Sequence, residues 1–160
     1  MKLRILSIGH KMPAWVQSGI DEYFKRIQPM ISTEIIELTP AKRTKNPSPA
    51  DIEKYKQQEG QAILNARHPK EQLWVLEIKG KMLCTEHLAD KLSMAMTDGA
   101  DIALVIGGAD GVSTEVLAAA NFKWSLSNLT LPHPLVRVIL VEQLYRAMSI
   151  INNHPYHRGG

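Results

Sequence analysis

The chain has 160 residues, of which 44% are hydrophobic and 22% charged, values typical of a globular protein rather than a disordered one. It contains no apolar stretch near the roughly 18 residues that span a membrane and no recognisable signal peptide. Its single cysteine, Cys84, cannot form an internal disulfide, and the net charge of +3 is too small to indicate a nucleic-acid partner by itself. We therefore expect a cytoplasmic protein with a single domain over residues 1–160.

Strands and helices are predicted to alternate in the first half of the chain. Residues 3–9 are predicted to form a strand, residues 13–28 a helix with apolar side chains at helical spacing, and residues 33–38 a second strand. A basic loop interrupted by prolines follows. Ser48 is then expected to cap a helix that has Pro49 at its first position and runs to about residue 67.

The second half continues this alternation. Residues 73–78 are predicted to form the third strand, and Thr85 to cap the next helix. Residues 101–106 are apolar almost throughout, as in a strand buried on both faces of a parallel sheet. Ser113 is predicted to cap a short helix, residues 124–128 to form a strand, and residues 134–150 a final helix. The order predicts an α/β fold with a mostly parallel sheet of about five strands flanked by helices.

Three glycines, Gly107, Gly108 and Gly111, follow the apolar strand. Ligands of open α/β sheets bind beyond the carboxyl ends of the strands, where glycine lets the backbone approach a ligand closely. The segment matches neither the dinucleotide fingerprint nor the P-loop fingerprint. It is either a ligand-binding turn or a tight connection between strand and helix.

A stiff loop precedes the last helix, because Pro132 and Pro134 bracket His133. Proline fixes its own φ and biases the preceding residue toward extended backbone. The free backbone groups of such a loop suit the edge of an adenine base. A rigid connector without a ligand is the alternative.

The last helix and the tail carry the remaining candidates. Glu142 and Arg146 lie one turn apart in a helix that is apolar nearly all round, so they form either a helix-stabilising ion pair or a functional pair. Arg137, at the start of this helix, could contact a phosphate or a carboxylate. The tail is rich in polar and aromatic groups, but His154 and His157 have no cysteine or carboxylate nearby, so we expect no metal site.

Several motifs occur together in a specific order: Glu-Gly at residues 59–60, LEIKGK at 76–81, the glycine turn, LPHPLVR at 131–137, EQLYRA at 142–147 and NHPYH at 153–157. This combination resembles the SPOUT (α/β-knot) superfamily, in particular the bacterial methyltransferases that act on N3 of pseudouridine in large-subunit ribosomal RNA. Each motif alone is weak. The resemblance spans the whole chain, and the order and spacing of the motifs make it specific.

The resemblance implies a C-terminal trefoil knot and a homodimer whose active site is completed across the interface. It also implies that S-adenosylmethionine is the cofactor, S-adenosylhomocysteine the product, and 23S ribosomal RNA of the 50S subunit or the 70S ribosome the partner, with no separate RNA-binding domain. The residues that it places at the cofactor are Leu76, Gly107, Gly108, Leu126, Ser127, Asn128, Leu129, Thr130 and Leu131. Those that it places near the methyl-accepting base are Glu142, Arg146, Tyr156, His157 and Arg158.

Within this resemblance His157 is the expected general base, because imidazole titrates near neutral pH. Tyr156 is expected to stack on the target base, Arg146 or Arg158 to stabilise negative charge or bind phosphate, and Glu142 to orient Arg146. Two alternatives come from other functional classes. One is an α/β nucleotide-binding module without catalysis, and the other is a non-catalytic ribosome assembly factor that the basic tail anchors.

Overall fold

The computed structural model describes residues 1–9 and 12–158, which form a five-stranded parallel sheet with helices on both faces. The strands are β1 (Lys2–Ile8), β2 (Ser32–Leu38), β3 (Glu71–Met82), β4 (Asp101–Ile106) and β5 (Phe122–Ser125). The helices are α1 (Ala14–Ile27), α2 (Pro49–Ala66), α3 (Thr85–Thr97), α4 (Thr114–Ala119) and α5 (His133–Ile151), followed by a 3-10 turn, Pro155–His157. The strand order is β2-β1-β4-β3-β5. The predicted fold class is confirmed, while the trefoil knot and the domain boundaries stay predictions.

Strand β4 lies at the centre of the sheet, and this position explains its continuous apolar run. Ile102 and Leu104 face one core, which α1, α3 and α5 cover. Ala103 and Val105 face the opposite core, which α2 and α4 cover. Because helices bury both faces of the strand, neither face requires polar side chains. The prediction for residues 101–106 is confirmed.

Two of the three predicted helix caps are present. Ser48 accepts a hydrogen bond from the Asp51 backbone N–H at 3.1 Å, and the Asp51 carboxylate accepts one from the Ser48 N–H at 3.0 Å. Ser113 caps α4 through the Val116 N–H at 3.3 Å. The prediction for Thr85 is wrong: it is the first residue of α3, and its hydroxyl donates to the Gln143 side chain of α5 at 2.8 Å.

Strands β3 and β5 differ most from their predicted bounds. Strand β3 continues to Met82, but its pairing with β5 shifts between Leu76 and Lys81, so the intervening residues bulge out of the ladder. Gly80 permits this path, since a Cβ there would lie 2.7 Å from the Lys123 carbonyl carbon. Strand β5 ends at Ser125, and the residues after it form a loop. Both differences shape the same edge of the sheet.

No helix in the described part of the chain is both long enough and apolar enough to cross a membrane.

Candidate active site

A cavity of about 870 Å³ opens beyond the carboxyl ends of β1, β3, β4 and β5. Its walls come from the turn after β1, the bulged part of β3, the glycine turn after β4 and the loop after β5. Parallel strands end at one edge of the sheet, so segments far apart in sequence converge there. This cavity lies where the sequence predicted a ligand.

The glycine turn is built so tightly that it requires glycine. A Cβ on Gly107 would lie 2.7 Å from Val112 Cγ1, and a Cβ on Gly108 would lie 2.6 Å from Glu59 Oε1. Gly111 has a φ of +86° and donates its N–H to the Gly108 carbonyl oxygen at 3.1 Å. The turn therefore presents bare backbone to the cavity, as the approach of a ligand requires.

The loop after β5 forms the opposite wall. Ser125 Oγ donates to the Ser127 carbonyl oxygen at 3.1 Å, and Ser127 Oγ accepts from the Leu129 N–H at 2.9 Å, so the loop is braced by its own serines. Of the nine predicted cofactor residues, eight line the cavity: Leu76, Gly107, Gly108, Leu126, Ser127, Leu129, Thr130 and Leu131. Asn128 does not line it.

A buried carboxylate borders the same cavity. Glu59 on α2 is 3% exposed; its Oε2 accepts from the Ala41 N–H at 3.0 Å, whereas its Oε1 has no hydrogen-bond partner among the residues that the structure describes. A buried acceptor without a partner is costly. The buried Glu59 carboxylate beside the glycine turn, together with glycine backbone and apolar walls, fits S-adenosylmethionine, which carries a cationic sulfonium. The sequence indicated Glu59 only as part of the Glu-Gly motif, with no role.

His133, the first residue of α5, also lines the cavity. Its Nε2 accepts from Arg137 Nε at 3.0 Å and lies 3.3 Å from Ser7 Oγ. Burial lowers the pKa of His133, the Arg137 charge lowers it further, and a hydrogen bond with the Gly107 backbone opposes both. The sequence predicted His133 only as part of a stiff loop, because two of its partners, Ser7 and Gly107, lie far from it in the sequence.

A second group of predicted residues is assembled on α5 and the tail. Arg146 Nη2 lies 2.6 Å from Glu142 Oε1, and the Tyr156 hydroxyl donates to the same oxygen at 3.0 Å. The Arg146 guanidinium lies 4.7 Å from the centre of the Tyr156 ring, and Tyr145 packs against that ring at 4.5 Å. Burial and hydrogen bonds with Tyr23 and Glu142 raise the pKa of Tyr156, so its hydroxyl keeps its proton.

The end of the tail is more open. His157 Nδ1 lies 2.6 Å from the His154 carbonyl oxygen. Arg158 is exposed, and its backbone N–H donates to the Pro155 carbonyl oxygen at 3.0 Å. Among the described residues, no three His, Cys, Asp or Glu side chains are grouped so that they could bind a metal ion.

The two groups of predicted residues do not meet in one chain. None of Glu142, Arg146, Tyr156, His157 and Arg158 lines the cavity. Their own contacts are with α1, with α5 and within the tail. A substrate that reaches both groups would need a second chain or a movement of the tail.

The family model described as "Predicted SPOUT methyltransferase" matches residues 1–157. The chain belongs to the SPOUT methyltransferase family. It is similar over nearly its whole length to proteins named Ribosomal RNA large subunit methyltransferase H. One from Psychrobacter cryohalolentis is 70% identical over 161 residues and one from Acinetobacter baumannii is 61% identical over 158 residues, each alignment covering 99% of both chains.

A solved structure from Legionella pneumophila, described as a methyltransferase with the bound cofactor SAM, is also similar. The TM-score is 0.48 at 12% identity, over 94% of this chain and 66% of that chain. This likeness is too distant to assign a ligand here.

Proposed function

We propose that this protein transfers a methyl group from S-adenosylmethionine to N3 of a pseudouridine in 23S ribosomal RNA, within the large subunit or the assembled ribosome in the cytoplasm. The names of the full-length relatives support the substrate class. The observation that carries the proposal is the convergence of the β3 bulge, the glycine turn and the loop after β5 on one cavity. Those are the three segments that the resemblance assigns to the cofactor.

The cavity residues would hold the cofactor in distinct ways. The loop after β5 would meet the adenine edge with its backbone groups other than the Ser127 carbonyl and the Leu129 N–H, which bond within the loop. Gly107 and Gly108 allow close approach of the backbone. Glu59 contributes a negative charge near the glycine turn. When bound, S-adenosylmethionine supplies the activated methyl group and the leaving group of an in-line displacement. The chain has to orient the target base and accept its proton.

His157 suits the role of proton acceptor. Its Nδ1 lies 2.6 Å from the His154 carbonyl oxygen, so Nδ1–H donates there, and in the neutral ring Nε2 is the nitrogen that can accept a proton. Arg146 remains cationic and is oriented by Glu142, so it can stabilise negative charge on a carbonyl oxygen of the base. Tyr156 has its ring against Arg146 and Tyr145, so it positions Arg146 in this arrangement, and stacking on a base would require the tail to move.

We further propose that the protein acts as a homodimer and that the tail of one chain completes the cofactor cavity of the other. The separation of the two groups of site residues within one chain supports this. So does exposed apolar surface: Trp15 at the start of α1 is 61% exposed, Leu129 in the loop after β5 is 72% exposed and Leu135 is 36% exposed. Burial of such side chains is a common driving force for dimers.

The decisive experiment is mass spectrometry of 23S ribosomal RNA from a strain that lacks the gene. We expect one methylated pseudouridine to lose its methyl group, and the wild-type gene to restore it. His157→Ala should bind S-adenosylmethionine normally in calorimetry but fail to restore the methyl group, because general-base removal costs roughly 10²–10⁴-fold. An unchanged RNA mass in the deletion strain would refute the proposed reaction, whereas full restoration by His157→Ala would refute only the role of His157.

A further inference from the structure

His133 joins three segments of the cavity wall. Its Nε2 lies 3.0 Å from Arg137 Nε on α5 and 3.3 Å from Ser7 Oγ on β1. The backbone of Gly107 in the glycine turn also acts on the ring and raises the pKa of His133. The imidazole therefore connects β1, the glycine turn and α5 at the place where they border the cavity.

These partners define which ring nitrogen carries the proton. Arginine only donates hydrogen bonds, so the Nε2 that faces Arg137 must be unprotonated. A neutral imidazole then carries its proton on Nδ1. The Gly107 backbone raises the pKa of His133, which is the effect of a carbonyl oxygen that accepts from the ring. Donation from Nδ1–H to the Gly107 carbonyl accounts for this direction.

Arg137 is itself held in place. It is 1% exposed, and its Nη1 lies 2.8 Å from Glu37 Oε1 on β2. Its Nη2 has no hydrogen-bond partner within residues 1–9 and 12–158. If His133 gained a proton at Nε2, Arg137 would lose its second acceptor and face another positive charge in a buried position. The connection from Glu37 through Arg137 to the glycine turn depends on a neutral imidazole.

We propose that His133 is a positioning residue of the cofactor site: in its neutral, Nδ1-protonated form it ties the glycine turn to Arg137, and S-adenosylmethionine binds tightly only to this form. The inference rests on the proposed function, since it takes S-adenosylmethionine as the ligand of the cavity. Cofactor binding then depends on pH through His133, which takes no chemical part in methyl transfer.

The charged groups around His133 give the direction of the pH effect. Arg137 faces it from α5, and Glu37 of β2 acts through Arg137. On β1 its neighbour is the uncharged Ser7, and in the glycine turn Asp110 is paired with Arg43. Burial and the Arg137 charge hold the pKa of His133 below 6.5. The ring is therefore neutral at neutral pH and gains its proton only at a lower pH than an ordinary imidazole.

Calorimetry of the intact protein from about pH 7 down to about pH 4.5 tests the inference, because the pKa of His133 lies below the ordinary imidazole value of about 6.5. We expect the affinities for S-adenosylmethionine and S-adenosylhomocysteine to fall together, by about tenfold for each pH unit below the pKa of His133. S-adenosylhomocysteine lacks the sulfonium charge, so an equal loss indicates a displaced turn. Loss for S-adenosylmethionine alone would indicate direct charge repulsion and would overturn the positioning role.

Variants provide matched controls. His133→Gln should bind both ligands weakly at every pH in this range, whereas His87→Gln, which removes an exposed histidine of α3, should keep the wild-type affinity and pH profile. A wild-type affinity that does not change with pH would overturn the inference and leave the proposed function intact. If neither ligand binds the wild-type protein at any pH, the proposed function itself fails.

Nitrogen-15 NMR of the wild-type protein tests the same proposal, so the result does not depend on whether a variant folds correctly. We expect the His133 ring to show a protonated Nδ1 and an unprotonated Nε2 at neutral pH. Reciprocity between proton and ligand binding requires the pKa of His133 to fall further when S-adenosylmethionine binds. The opposite tautomer, or a titration that the ligand leaves unchanged, would refute the proposal.

Discussion

Arg4 and Glu71 show what a buried ion pair contributes at the scale of single residues. Arg4 Nη2 lies 2.6 Å from Glu71 Oε1 and Nε lies 2.8 Å from Oε2, with both side chains nearly inaccessible. The pair joins β1 to β3 across the central strand β4. Glu71 also accepts the His68 N–H at 2.7 Å. The carboxylate thus links both strands and the turn that leads into β3.

Glu71→Ala should destabilise the protein by about 3–5 kcal/mol, because it leaves the Arg4 charge buried without a partner. Burial raises the pKa of Glu71, but the hydrogen bonds from Arg4 and His68 outweigh it, so the net pKa lies below 4.5. The unfolded chain therefore takes up the proton first, and this stabilisation is lost as pH falls below about 4.5.

Urea unfolding between about pH 3 and pH 6 measures this effect. The wild type should lose stability toward the acid end, and Glu71→Ala should lose less because the linked proton is gone. Glu53→Ala, an exposed change on α2, serves as the control and should keep the wild-type slope. Equal slopes in all three proteins would contradict the assigned role of Glu71.

At the scale of elements, Gly60 sets how closely α2 approaches the start of α4. A Cβ at Gly60 would lie 2.3 Å from Ser113 Oγ and 3.0 Å from Ser113 Cβ. Ser113 is the cap of α4 and is 1% exposed, so it has little room to move. The adjacent Glu59 lies against Gly108 in the glycine turn. The Glu-Gly motif therefore fits α2 against the segment that borders the cavity.

Gly60→Ala should destabilise the protein by about 1–3 kcal/mol through overpacking. Helix propensity alone predicts the opposite sign, because alanine favours a helix by about 1 kcal/mol over glycine. Thermal unfolding decides between the two. Gln58→Ala, an exposed change on the same helix, should leave stability nearly unchanged. A stabilised Gly60→Ala would show that the contact with Ser113 relaxes easily.

At the scale of the whole molecule, the proposed exchange of tails predicts that two inactive variants restore each other. Gly108→Val blocks the glycine turn and His157→Ala removes the proposed base. If each tail serves the partner's cavity, a mixed dimer has one complete site. Random mixing should then restore about a quarter of wild-type methyl transfer, since half of the dimers are mixed.

Methyl transfer to ribosomes before and after unfolding and refolding the mixture measures this restoration. Each variant alone should be inactive while remaining folded in thermal unfolding. A refolded mixture that stays inactive would place the tail in the site of its own chain. A monomeric wild type in sedimentation would reject the dimer altogether.

The sequence alone determined the features that depend on neighbouring residues. The apolar run of β4, the caps Ser48 and Ser113 and the parallel α/β class follow from local patterning, and the structure confirms them. The order of motifs determined the family. Thr85 was predicted wrongly because its hydroxyl has a partner on α5, far along the chain, and the loop after β5 was predicted partly as a strand.

Only the tertiary structure decided which distant groups meet. It placed eight predicted cofactor residues around one cavity, added Glu59 and His133 to its wall, and kept the tail residues apart from it. Gly80 shows the physical reason. A side chain there would clash with the backbone of Lys123, and no pattern near residue 80 reveals that contact. Local sequence determines backbone preference and apolar periodicity, whereas burial, long-range contacts and hydrogen bonds between distant residues arise only when the strands are assembled side by side.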